Sequence, residues 1–117
     1  MELQEMYILI GGDYEDAMAR LMKEERLRKF LGMFLQSGEY DNMITAYEDK
    51  DYERLFRESH SLKGMAANLS LSSLFTAVSD VCESVRHGAP ETDISDLIEK
   101  AKFEYKRTTD GIKEALS

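Results

Sequence analysis

Apolar residues recur at intervals of three and four along nearly the whole chain, and the alternation expected of strands is missing. Leu3, Met6, Tyr7 and Ile10 predict a short opening helix closed by Gly11 and Gly12. Asp13 is placed to cap a second stretch whose stripe is Tyr14, Ala17, Met18 and Leu21. Glu24, Glu25 and Arg28 fall where that stripe would continue, so a break or kink is predicted between Met22 and Glu24. Leu27, Phe30, Leu31, Phe34 and Leu35 then predict a helix ending at Gly38. Met43, Ile44 and Tyr47 mark a short one after it.

The next segment, capped by Asp49 or Asp51, runs to about Leu69 and buries Leu55, Ser59, Leu62, Ala66 and Leu69. Ser70 or Ser72 is placed to cap the following helix, with Leu71, Leu74, Phe75, Val78, Val81, Cys82 and Val85 on its apolar side. Gly88 and Pro90 stop it. A last helix opens near Thr92 or Asp93 and turns Ile94, Leu97, Ile98, Ala101, Tyr105, Thr108 and Ile112 inward. Four helices of roughly 15 to 20 residues with short connections predict antiparallel neighbours. The fold expected is all-α, an antiparallel four-helix bundle, with additional short N-terminal helices over one end or flank.

The 117 residues suit a single domain spanning 1–117, and a hydrophobic content of 43% supplies its core. Acidic residues number 23 against 15 basic ones, for a formal charge of −8. Such a surface repels phosphate backbones, so neither nucleic acid nor an anionic membrane is expected as a partner. Charges of both signs are interspersed, which argues for a folded chain rather than a disordered one. The longest apolar run, Met6 to Ile10, is too short to span a bilayer. Glu2 and Glu5 stand where a signal peptide would be basic, so a soluble, cytoplasmic protein is expected. Cys82 is the only cysteine, which excludes an internal disulfide and a cysteine-based zinc cluster. On its apolar stripe it reads as a small hydrophobe.

One segment holds more than a bundle needs. Gly64 lies inside a predicted helix, where glycine costs about 0.5 to 1 kcal/mol relative to alanine. At 100° per residue, His60 lies about 160° around the helix from Leu62, the centre of the buried stripe. Gly64 is about 40° from His60, and Ala67 about 20°. His60 is therefore expected to project into solvent beside a helix surface stripped of bulk. Lys63 and Arg57 flank it as a local basic collar on an acidic protein. Phe56, one turn before His60, is placed either to help a partner dock or to pack against a neighbouring helix. Asp80, Glu83, Ser59 and Ser61 are all candidates to hold the second ring nitrogen, and solvent is a fifth. His87 suits a helix C-terminus, and its spacing from His60 gives no metal-ligand pattern.

His60-Ser61-Leu62-Lys63-Gly64 resembles the H-x-L-K-G signature of histidine-containing phosphotransfer (HPt) domains. Asn68-Leu69 also fits the family pattern, which usually continues with glycine where this chain has Ser70. The opening through Gly12-Asp13-Tyr14 is similar to that of small free-standing bacterial members. The resemblance implies a phosphorelay, in which His60 takes a phosphoryl group from an aspartate of a receiver domain and passes it to a second receiver aspartate. Partners would be receiver domains of response regulators or hybrid histidine kinases. Lys63 would stabilise the phosphoryl charge, Gly64 would give steric access, and Phe56, Arg57 and Ala67 would lie under the docked partner. Phosphoryl transfer depends mainly on positioning and charge stabilisation, which these residues suit. No cofactor or metal is expected on this chain, since the Mg²⁺ belongs to the receiver's acidic pocket.

No glycine-rich phosphate loop is present, so the chain is not expected to use ATP or to be an enzyme in the usual sense. It would be a phosphoryl carrier, a monomer by default. The alternative is a non-phosphorylated helical adaptor that docks receiver or other signalling domains. A third reading, a domain cut from a longer hybrid kinase, is disfavoured by the Met1 start and the well-formed opening helix.

Overall fold

A computed structural model describes residues 1–117 and is helical throughout, with no strand. Seven helices follow in order: α1 (Leu3–Ile10), α2 (Tyr14–Leu21), α3 (Glu24–Leu35), α4 (Glu39–Glu48), α5 (Tyr52–Asn68), α6 (Ser72–Ser84) and α7 (Ser95–Leu116). Helix α4 packs on α5, α5 on α6, α6 on α7, and α7 on α3. With α3 and α4 as one interrupted rod, these make the four-helix bundle, 42 × 21 × 20 Å in extent. The start of α3 meets the end of α7, where Arg28 donates to the Ala115 carbonyl at 3.1 Å. Tyr40 of α4 stacks on Tyr105 of α7, with ring centres 3.7 Å apart. No helix is long and apolar enough to cross a membrane.

The expected stripes are the ones buried. Leu55, Ser59, Leu62, Ala66 and Leu69 face inward from α5, and Leu74, Val78, Val81 and Cys82 from α6. Phe30 departs from its stripe and stays 37% exposed, because nothing packs over that side of α3. Glu104 is buried on α7, where Arg107 neutralises it through a two-oxygen contact at 2.7 and 3.1 Å. Rod lengths also differ from expectation, since α3 has 12 residues, α6 has 13 and α7 has 22.

Helix ends depart from expectation more than helix faces do. Asp13 and Asp51 cap α2 and α5 as expected, accepting from the backbone N–H of Asp16 and Arg54. Helix α3 stops at Leu35 rather than Gly38, because the Ser37 hydroxyl takes the Phe34 carbonyl at 2.8 Å. Gly38 instead precedes α4 with right-handed backbone, so its freedom at positive φ is unused. Neither Ser70 nor Ser72 caps α6, whose N-cap is Leu71 without a side-chain bond. The last helix starts at Ser95, where Asp93 accepts from the Ser95 N–H at 2.8 Å.

Ser70 has a different role. Its φ of +55° is left-handed, and the N–H groups of Ser70 and Leu71 bond back to the carbonyls of Ala67 and Ala66. This closes α5 in the motif that usually takes glycine. The serine is held by its hydroxyl, which donates to Asp16 at 2.6 Å and accepts from Arg20 at 3.1 Å. Arg20 also donates to the carbonyls of Ala67 and Asn68, and Tyr7 to that of Leu69. The Asp13 N–H takes the Ser70 carbonyl. Helices α1 and α2 thus satisfy the carbonyls that the end of α5 leaves open, where the helix dipole favours a cation such as Arg20.

Candidate functional site

Because Leu55, Ser59, Leu62 and Ala66 fix which side of α5 meets the core, the opposite side is fixed as well. His60, Gly64, Ala67 and Arg57 are all on that exposed side. A Cβ built on Gly64 meets no atom within 4 Å, so nothing inside the chain requires a glycine there. The bare strip faces outward beside the imidazole.

On one side the strip is walled by α6. Phe56 is half-buried against the core, and its ring centre lies 5.8 Å from that of His60. The guanidinium of Arg86 sits 5.4 Å over the same Phe56 ring. Phe56 is therefore both core edge and the floor between His60 and a cation. Arg86 also chelates Glu83, with Nε at 3.0 Å from Oε2. Hydrogen bonds from Arg86, and more distantly the charges of Lys63 and His87, hold the Glu83 carboxyl below the usual carboxylate range.

Arg57 lies exposed on the other side of the strip. It stands 3.6 Å from Glu53 one turn earlier, an exposed i, i+4 pair that solvent screens. Arg86, over Phe56, is paired still more closely with Glu83, whereas Lys63 forms no ion pair. The candidates for the second ring nitrogen are engaged elsewhere: Ser59 donates to the Phe56 carbonyl, Ser61 to Glu39 at 3.4 Å, and Glu83 holds Arg86. Asp80 is exposed on α6.

Sequence reasoning did not place Arg86 over Phe56. It lies 26 positions beyond His60, and only the packing of α6 on α5 brings it to Phe56. The Glu53–Arg57 pair did carry a signal, the i, i+4 spacing of opposite charges on one helix. No group of three or more His, Cys, Asp or Glu side chains is arranged to hold a metal ion.

The arrangement offers an exposed imidazole, the ammonium of Lys63 one turn along the helix, and a bare surface across which a partner's backbone can approach. The model of the Hpt domain family matches residues 29–114, roughly three quarters of the chain. Neither a comparison with curated proteins nor one with solved structures finds a match.

Proposed function

The chain belongs to the Hpt domain family and so to the histidine phosphotransfer modules of phosphorelays, and from that premise we propose that His60 carries the phosphoryl group between two receiver domains. The observation that carries this reading is an exposed imidazole beside a glycine whose missing side chain serves no internal contact. Neutral imidazole is a competent nucleophile near neutral pH. Its Nε2 lone pair attacks the phosphorus of a receiver's aspartyl phosphate. The P–O bond to the aspartate breaks, the aspartate leaves as a carboxylate, and the ring's remaining N–H proton passes to solvent. The second transfer runs the same steps in reverse onto another aspartate.

Lys63, one turn along the helix from His60, would offset charge on the phosphoryl oxygens, the main contribution a protein makes to this chemistry. Gly64 and Ala67 leave room for in-line approach. The Mg²⁺ would be held by the receiver's own carboxylates, so this chain supplies position and charge alone.

Incubation with a phosphorylated receiver should place an acid-labile, base-stable label on His60, and His60→Gln should abolish it. Undiminished label in that variant would defeat the assignment. Full receiver affinity and cellular output in His60→Gln would favour the adaptor alternative.

A further inference from the structure

The imidazole of His60 is exposed, yet one side of it is not free. Side chains of a helix lean back over the preceding turn, so His60 reaches toward Phe56, four positions earlier. The two rings stand 5.8 Å apart between centres and are tilted by 36°, a separation at which aromatic rings attract one another. The polar side chains next to His60 in sequence turn elsewhere, Ser59 to the Phe56 carbonyl and Ser61 to Glu39. Among the groups of this chain, Phe56 is the one set against the imidazole.

Phe56 is itself held from two directions. Its ring packs against the core as a half-buried residue of α5. Arg86 of α6 lays its guanidinium over the same ring, 5.4 Å from the centre, where the ring face attracts a cation. Arg86 is in turn pinned by Glu83, one turn earlier on α6, through Nε to Oε2 at 3.0 Å and a second contact to Oε1. Glu83, Arg86, Phe56 and His60 thus form one line of contacts running from α6 to the exposed face of α5. The outer torsion of a histidine has only a broad, roughly twofold preference, so an unheld imidazole turns either nitrogen outward.

We infer that Phe56 is a positioning residue for His60, holding the imidazole so that a single nitrogen, Nε2, faces the incoming phosphorus, with Arg86 and Glu83 behind it as its support. The inference rests on the carrier reading of His60. Transfer requires the attacking nitrogen to lie in line with the bond that breaks, and a ring held in one orientation meets that requirement more often. Contact with the Phe56 ring achieves this without a hydrogen bond to the second nitrogen. Arg86 acts here by keeping Phe56 in place, with its own charge already engaged by Glu83.

The test labels the full chain with phosphoramidate, a small donor that needs no docking. Nε2 bonds to phosphorus as the donor's own P–N bond breaks, ammonia leaves, and the ring's N–H proton passes to solvent. Phosphorus and nitrogen NMR then read whether the label is on Nε2 or Nδ1, and N-acetylhistidine gives the ratio for an unheld ring. The wild-type chain should carry the label on Nε2 alone. Phe56→Leu, which keeps apolar bulk without a ring, should move toward the N-acetylhistidine ratio and label about threefold or more slowly. Phe56→Tyr, which keeps the ring, should restore Nε2 alone. Arg86→Met should shift the ratio in the same direction as Phe56→Leu, since it removes the support and leaves the core intact. Should Phe56→Leu lose its helical circular dichroism, Arg86→Met at its exposed position decides the matter. The wild-type ratio and rate in a folded Phe56→Leu, or in Arg86→Met where it decides, overturns the positioning role while leaving His60 as carrier. Wild-type label already spread over both nitrogens does the same. Failure of the wild-type chain to label at His60 from phosphoramidate or from a phosphorylated receiver defeats the carrier reading and this one with it.

Discussion

On the carrier reading, Gly64 is a residue chosen against stability. An interior helix glycine costs about 0.5 to 1 kcal/mol relative to alanine, and a Cβ there would touch nothing in this chain. Gly64→Ala should therefore raise the denaturation midpoint, consistent with a gain of about 0.5 to 1 kcal/mol, while slowing transfer from a phosphorylated receiver. A variant that is more stable and equally fast would remove the access argument. His60, Lys63 and Gly64 were legible in the sequence because the angle around a single helix determines which way each one points. Arg86 was not, since its place over Phe56 depends on how two helices pack.

Among the helices, α1 and α7 approach closely at a glycine. A Cβ on Gly111 would lie 2.7 Å from Cγ2 of Ile10, which is buried and branched and cannot swing away. Gly32, by contrast, has only Leu116 near it, at an ordinary 3.9 Å. Gly111→Ala should destabilise the chain by about 1 to 3 kcal/mol through overpacking. Gly32→Ala should stabilise it by up to about 1 kcal/mol. Urea denaturation of the two variants gives opposite signs if the packing is as described, and matching signs would contradict it. Helix stripes were readable from spacing, but the ends were less so. Ser70 has the composition of an N-cap for α6 yet closes α5, because Asp16 and Arg20 from α2 hold its hydroxyl.

For the molecule as a whole, ionisation limits stability at both extremes of pH. The Ser70 hydroxyl holds Asp16 below the usual carboxylate range, hydrogen bonds from Arg86 do so for Glu83, the Ser95 N–H for Asp93, and Lys106 for Asp110. A carboxyl lowered in the folded state contributes stability that is complete above its unfolded value, about 4, and is lost as pH falls through the folded one. Burial raises Tyr40 to about 12, and raises Tyr7 and Tyr105 as well. The Glu24 carboxylate, accepting from its hydroxyl, raises Tyr14. Their contribution is complete below the unfolded value of about 10 and is lost as pH rises through the raised values. Urea midpoints should therefore be level between about pH 5 and pH 9 and fall on either side. A midpoint that climbs below pH 4 would contradict the carboxylate assignments.

The amino-acid order alone determined the helices, their inward faces and the direction of His60, since these follow from a period of 3.6 residues and from which side is apolar. It also carried the five-residue signature at 60–64. Tertiary structure decided everything that needs two helices at once. It set Arg86 over Phe56, held Ser70 in a left-handed turn, and left Phe30 and Met33 without cover beside Met65. A local period records which way a side chain points, but what it meets there is set by packing between segments distant in the chain.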